Sequence, residues 1–276
     1  METCYFDRNI FDHIDRKHHI TDADIGVLRK AVARKRIAVL VSLETVQETT
    51  YARSDTALRG LRLIAQLSRL DFPIKPHGEL IRDEIKSFSE GKQSPSPFVS
   101  GRFSIDSVIA DLEQPTPAII TMLEEDKRNK HELNAKLKNH VEGERRALAG
   151  QLPRNFEEYW NWRSTYWAEA FAHGAGYLDQ CREAGIEALL KIRSVRISVG
   201  AVLSLLYALM IERRAIKPGT SRDLQHSSPM SAADIVVTND GPLRGLLERI
   251  PINDFRVLNL RELIGLVSRT REEVPE

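Results

Sequence analysis

Apolar and polar positions divide this chain into two sheet-forming ends and a helical middle. Thr3-Cys4-Tyr5-Phe6-Asp7 reads as a short strand closing on a charge. Ile37-Ala38-Val39-Leu40-Val41 is a continuous apolar run, the pattern of a strand covered on both faces of a parallel sheet. Between them, Thr21-Asp22-Ala23-Asp24 sets a cap and two carboxylates ahead of the periodic positions Ile25, Leu28 and Val32, which predicts a helix. Ser42 then caps a segment running toward Leu70, with a stripe of Leu43, Val46, Leu58, Leu61, Ile64 and Leu67 that breaks near Thr49 and Thr50. Asp71-Phe72-Pro73-Ile74 predicts a third strand, confined to an edge because proline cannot donate to a ladder.

Serine, proline and glycine thicken from Ser87 to Gly101 and predict an exposed loop. From Ile105 to about Lys191 the pattern is helical, with a charged stretch between Glu124 and Arg146. An aromatic stripe follows at Phe156, Tyr159, Trp160, Trp162, Tyr166, Trp167 and Phe171, which helical spacing assigns to a core. The apolar segment Ile197 to Ile211 is shorter than the roughly 20 residues of a bilayer span and predicts a buried helix. Strand logic returns in Asp234-Ile235-Val236-Val237-Thr238-Asn239-Asp240 and in Phe255-Arg256-Val257-Leu258, separated by a short helix from Pro242 to Glu248. The expected fold class is therefore α/β, three layers around a parallel central sheet. Residues 1–268 form a single domain whose sheet comes from 1–75 and 218–268, with 76–217 as a helical insertion.

Composition narrows the setting more than the chemistry. A chain of 276 residues with an ordinary apolar fraction can bury a full core without covalent staples. Cys4 and Cys181, its only cysteines, have no metal-ligand spacing and read as packing residues of a reducing compartment. No secretory signal pattern opens the sequence, so a cytoplasmic protein with no membrane partner is expected. The formal charge of +1 announces no global affinity for nucleic acid. Arg53, Arg59, Arg62 and Arg69, and Arg193, Arg196, Arg213, Arg214 and Lys217, read as solvated helix faces.

Open α/β sheets place their sites at the carboxyl ends of strands, where Asp7 and Asp240 fall. Asp223 precedes the short helix feeding the last pair of strands, so it reaches the same edge. Glu44 and Glu48 share one helix face just after the second strand, and either serves. Asp234 opens the strand that Asp240 closes and lies roughly 20 Å from that edge at about 3.3 Å per residue, which excludes it. Carboxylates converging without cationic partners repel one another, and a hard divalent cation, Mg²⁺ or Mn²⁺, is the natural neutraliser. Such an ion polarises phosphoryl oxygens and activates water for attack on a phosphodiester.

Tyr5-Phe6-Asp7-Arg8-Asn9-Ile10-Phe11 resembles the opening strand of PIN domains, and Ser42 followed by Glu48 resembles that family's second motif. Asp223-Leu224-Gln225-His226 and the segment Ala233 to Asp240 are similar in order and spacing to its third and fourth motifs. The resemblance covers about residues 1–75 and 218–268 and departs from the family in the long helical middle. It implies a divalent-metal-dependent endoribonuclease, often the toxin of a toxin–antitoxin pair. Asp7, Glu48, Asp223 and Asp240 would then be metal ligands and catalytic residues, with Asn9 orienting Asp7 and Thr238 supporting the loop of Asp240. Arg244, just past Asp240, is a candidate for a substrate phosphate. His226, one turn after Asp223, reads as a structural histidine. Expected partners are nucleic acid, RNA ahead of DNA, an inhibitory antitoxin-like protein, and a second copy of the chain. The alternative is a PIN-like nucleic-acid or protein binding module without turnover.

Overall fold

The computed structural model describes residues 1–52, 54–68, 73–101, 103–147, 151, 153–215, 224–251 and 255–269. Strands β1 (Glu2–Phe6), β2 (Ile37–Leu40), β3 (Ile235–Val237) and β4 (Arg256–Leu258) form a four-stranded sheet in the order β2-β1-β3-β4. Every pairing is parallel, with Tyr5 opposite Leu40 on one side and opposite Val236 on the other. The expected α/β class with a parallel central sheet is the observed one.

Alternation along the strands sorts the sheet into two buried faces. Cys4, Phe6, Ile37, Val39, Ile235 and Val237 point to one side. They pack there with residues of α1 (Arg8–Asp15), α2 (Asp22–Ala33), α4 (Ser54–Leu67) and α13 (Leu260–Arg269). Helix α2 starts where its sequence predicts, in a reciprocal capping box in which Asp24 N–H donates to Thr21 Oγ1 and Thr21 N–H to Asp24 Oδ2. Tyr5, Leu40 and Val236 point to the other side. Their partners come from α5 (His77–Ser89), α10 (Arg193–Met210), α11 (Ser227–Met230) and α12 (Gly241–Leu247).

Helix α10 is the hinge between the sheet and the helical middle. Ile197 and Ala201 meet the sheet's second face, while Val195, Val199, Leu203 and Leu206 enter a separate core with Tyr159, Ala168 and Ala172 of α8 (Phe156–Ala175). By length and composition this helix could cross a membrane, and in the fold its burial on both sides accounts for its being apolar all round. Its tightest approach is at Gly200, where a Cβ would come within 2.5 Å of Ile250 Cγ2. The stretch 76–217 thus contains α5 and α10, which cover the sheet's second face, α6 (Ile105–Glu113), which joins the core on its first face, and the helices α7 (Pro117–Ala147), α8 and α9 (Leu178–Glu183).

Three local expectations need correction. Ile74 makes only isolated bridges, parallel to Ser42 and antiparallel to Phe98, so no third strand forms in the described part of 71–74; Asp71 and Phe72 lie outside the described residues. Helix α5 continues through Ser87 and Phe88 to Ser89 before the loop begins, because Phe88 packs on the helical core. The aromatic stripe is not all core: Tyr159 is buried, but Trp162 and Tyr166 are 45% and 50% exposed and flank the guanidinium of Arg163 at 4.7 and 4.9 Å.

Candidate active site at the carboxyl edge of the sheet

Strand β1 has β2 on one side and β3 on the other, so the chain's winding reverses between β1 and β3. The crevice at such a switch point is where open α/β sheets bind ligands. Asp7 follows β1, and Thr238, Asn239 and Asp240 follow β3, which puts all four at that crevice. The pairing continues one step past the strands, Asp7 N–H donating to the carbonyl of Val237 at 3.1 Å.

Asp7 occupies the cap position of α1 yet makes no capping bond. Its carboxylate turns into the crevice instead, 8% exposed, and both of its side-chain hydrogen bonds fall on one oxygen. Asn9 Nδ2 donates to Asp7 Oδ2 at 2.5 Å and Thr238 Oγ1 donates to the same atom at 2.9 Å. Burial pushes the Asp7 carboxyl above its ordinary range, and Glu48 and Asp240 push the same way against the pull of His226 and the Thr238 hydroxyl. Asp7 therefore stands at the positive end of α1 without making a capping bond there.

Around this carboxylate the loop after β3 is clamped. Thr238 Oγ1 also accepts from Asp240 N–H at 3.1 Å, Asn9 Oδ1 accepts from Asn239 N–H at 3.1 Å, and Asn239 Oδ1 accepts from Leu260 N–H at 3.0 Å. Asp240 itself caps α12, Oδ1 accepting from Leu243 N–H at 3.0 Å. Asp240 thus has a structural duty that Asp7 lacks.

The two candidates after β2 separate cleanly. On α3 (Leu43–Thr50), Glu44 turns away to accept the backbone N–H of His77 at 2.5 Å, serving the start of α5, and burial raises its pKa. Glu48 instead lies 3.0 Å from His226 Nε2. His226 is wholly buried, and Tyr5 brings its hydroxyl to 2.8 Å from the other ring nitrogen, Nδ1, and to 3.1 Å from both Ser42 Oγ and Thr45 Oγ1. Burial alone would lower the His226 pKa, but Tyr5, Glu48 and Asp7 outweigh it and hold it well above the ordinary imidazole value. His77 goes the other way, down to about 4, through burial and the neighbouring His226 charge.

This arrangement adds a group to the expected acidic site. The carboxylates have a histidine among them, His226 Nε2 lying 3.0 Å from Glu48, and a raised pKa favours its protonated form there. Sequence reasoning placed His226 near Asp223 as a structural histidine but did not foresee its contacts with Glu48 and with Tyr5, whose only signal was a tyrosine alternating into the β1 core. Asp223 lies outside the described residues, as do Arg53, Arg69 and Lys217. Among the described residues, no three His, Cys, Asp or Glu side chains come close enough to hold a metal ion. The donor types present, carboxylate oxygens of Asp7, Glu48 and Asp240, are those that Mg²⁺ and Mn²⁺ take. Arg244 is engaged by two carboxylates, Glu248 at 2.7 Å and Glu262 at 3.0 Å. Asp234 stands at the opposite edge, accepting from Thr3 N–H and Thr3 Oγ1, both at 2.8 Å. No protein-family model matches this chain, and neither a curated protein nor a solved structure matches it.

Proposed function

We propose that the protein is a divalent-metal-dependent nuclease of PIN type that hydrolyses phosphodiester bonds in RNA. The observation that carries this reading is Asp7: a buried carboxylate at the switch point, released from capping and fixed through Oδ2 alone by Asn9 and Thr238. An acid buried against its own ionisation is a marker of function, since a purely structural role is served better by a neutral group.

In this reading Asp7, Glu48 and Asp240 would hold Mg²⁺ or Mn²⁺ together with Asp223. When bound, the ion supplies Lewis-acid stabilisation and an activated water. The chain's own residues do the positioning. Asn9 and Thr238 fix the rotamer of Asp7 and tie it to the loop of Asp240, the support that outer-shell partners give metal-binding carboxylates. His226 and Tyr5 hold Glu48 at the crevice and balance acidic charge there. The likeness of the four motifs to PIN domains is what favours RNA, and a toxin held by an antitoxin-like inhibitor is the role that likeness suggests.

A second reading has a specific observation in its favour. Glu48 is already paired with His226, and Asp240 is already committed to capping α12, as in a binding module whose carboxylates serve the fold. Cleavage of end-labelled single-stranded RNA and DNA, in Mg²⁺, Mn²⁺ or EDTA, separates the two. Metal-dependent cleavage by the wild type that is lost in Asp7→Asn and Asp240→Asn establishes the nuclease. No cleavage in any condition, with unchanged nucleic-acid binding in the variants, establishes the binding module.

A further inference from the structure

A cavity of about 560 Å³ opens beside the candidate site, sharing Thr238, Asn239 and Asp240 with it. That volume lies within the range of small-ligand pockets. Its far wall is the last turn of α1 and the turn that follows, where His13, His18 and His19 gather. The rings are in edge contact, His13 to His18 at 4.9 Å between centroids and His18 to His19 at 3.9 Å. Arg261, at the start of α13, closes the wall and anchors it, its Nε donating to the His19 carbonyl at 2.9 Å.

Two features set this wall apart from a chance cluster. Lys17 and His19 both take left-handed backbone conformations, with φ of 51° and 61°, which side chains other than glycine adopt at a cost. The turn holds them with backbone bonds from Lys17 N–H to Ile14 and from His18 N–H to His13, and the result is to present His18 and His19 to solvent at the cavity. The second feature is charge. Arg244 on the same cavity is neutralised by Glu248 and Glu262, whereas no carboxylate among the described residues lies within ion-pair distance of Arg261. A group of aromatic faces beside a guanidinium that forms no ion pair, its acidic neighbour Asp24 acting only at longer range, matches a nucleotide, one surface for the base and one for the phosphate.

We propose that this cavity seats the nucleotide adjoining the scissile phosphate of a single-stranded nucleic acid, its base against the rings of His18 and His19 and its phosphate on Arg261. The proposal rests on the nuclease reading for what happens at Asp7 but not for binding itself. It moves the phosphate contact from Arg244 to Arg261, and it makes the histidine turn a substrate-binding element.

The test measures binding of a fluorescein-labelled single-stranded RNA dodecamer to the full chain by anisotropy in EDTA, where metal-dependent cleavage is silent. The variants are His18→Ala, His19→Asn and Arg261→Ala, asparagine being chosen because it tolerates the left-handed conformation. Thermal melts confirm that each is folded, and Lys136→Ala on α7 serves as a control. Loss of one base stack weakens affinity about fivefold or more, so weakening of that size in the histidine and arginine variants, absent in the control, supports the proposal. Unchanged affinity in folded variants, or a wild type that binds no oligonucleotide, overturns it. Failure of the nuclease reading looks different: the wild type then binds through the histidine turn yet cleaves nothing in Mg²⁺ or Mn²⁺. A wild type that cleaves, with variants that bind and cleave as it does, removes the cavity proposal alone.

Discussion

Asp234 and Asp7 stand at opposite edges of one parallel sheet, and their surroundings differ in what decides the behaviour of a carboxylate. Asp234 at the amino edge is exposed and accepts two hydrogen bonds from Thr3, and these bonds hold its pKa below the ordinary value. Asp7 at the carboxyl edge is buried among other acids, and that burial holds its pKa above the ordinary value. One aspartate ties strands together at little electrostatic expense; the other is kept in a setting that opposes its charge. The comparison teaches that position on the sheet is not enough to mark a functional acid. What singles out Asp7, in the proposed reading, is a disfavoured ionisation combined with a place at the switch point beside other acids.

The sharpest way to break the contrast is to neutralise each acid. Asp7→Asn is expected to lower metal-dependent cleavage by a factor of about 10³ or more, the scale of losing a group that acts in the transition state, while leaving the melting temperature unchanged or higher. A variant that cleaves normally ends the assignment of Asp7.

Glu84 sharpens the contrast from a third position, because its pKa is also raised, to about 7, by burial alone. Its partner is the Ser194 hydroxyl, which donates to Oε2, and it lies on α5 rather than at a strand end. In the folded chain Glu84 holds its proton to higher pH than in the unfolded chain, so its contribution falls as pH rises from about 4.5 to about 7. Glu84→Gln is therefore expected to stabilise the protein at pH 8 by up to about 3 kcal/mol, with the gain vanishing below pH 4.5. Denaturant melts at the two pH values check this. A gain of equal size at both would mean that ionisation is not its source.

Removing the support of Asp7 without touching the acid comes next. Asn9→Ala deletes the bonds to Asp7 Oδ2, Thr238 Oγ1 and Asn239 N–H together, and a loss of about tenfold to 100-fold in cleavage or metal affinity is expected. Isothermal titration with Mn²⁺ reads the metal term directly, and unchanged affinity with unchanged cleavage would leave Asn9 a purely structural residue. The smallest effect belongs to the amino edge. Asp234→Asn should lower the melting temperature by about 2 °C through weaker bonds to Thr3 and leave cleavage intact.

Much of the sheet was legible in the chain because a strand buried on both faces leaves an unbroken apolar run, as Ile37 to Val41 does. Strand polarity then placed Asp7 and Asp240 on one edge and Asp234 on the other without any three-dimensional information. The rest was hidden for identifiable reasons. Helix phase puts Glu44 and Glu48 on one face, and only the approach of His77 from another helix separates them. Tyr5 and His226 meet across 221 residues, a contact that no local pattern encodes. Helix α10 read correctly as buried, but its two-sided role as cover for the sheet and core of the helical middle depends on packing partners far along the chain.

The order β2-β1-β3-β4 has a consequence for how the molecule comes into being. Thr238 must reach back 231 residues to bond Asp7, and β3 must slot beside a strand made long before it. At about 5 to 20 residues per second, a ribosome takes roughly 10 to 50 s to span that separation. Throughout that interval β1 and β2 have an unfilled edge, while the helices between them and β3 are free to collapse on local contacts. The crevice thus cannot form until β3 has been made, and a chain released before that point carries Asp7 without Thr238 or Asp240 beside it. The pairing of Asp7 with Thr238 is thereby withheld from every copy that stops short of β3.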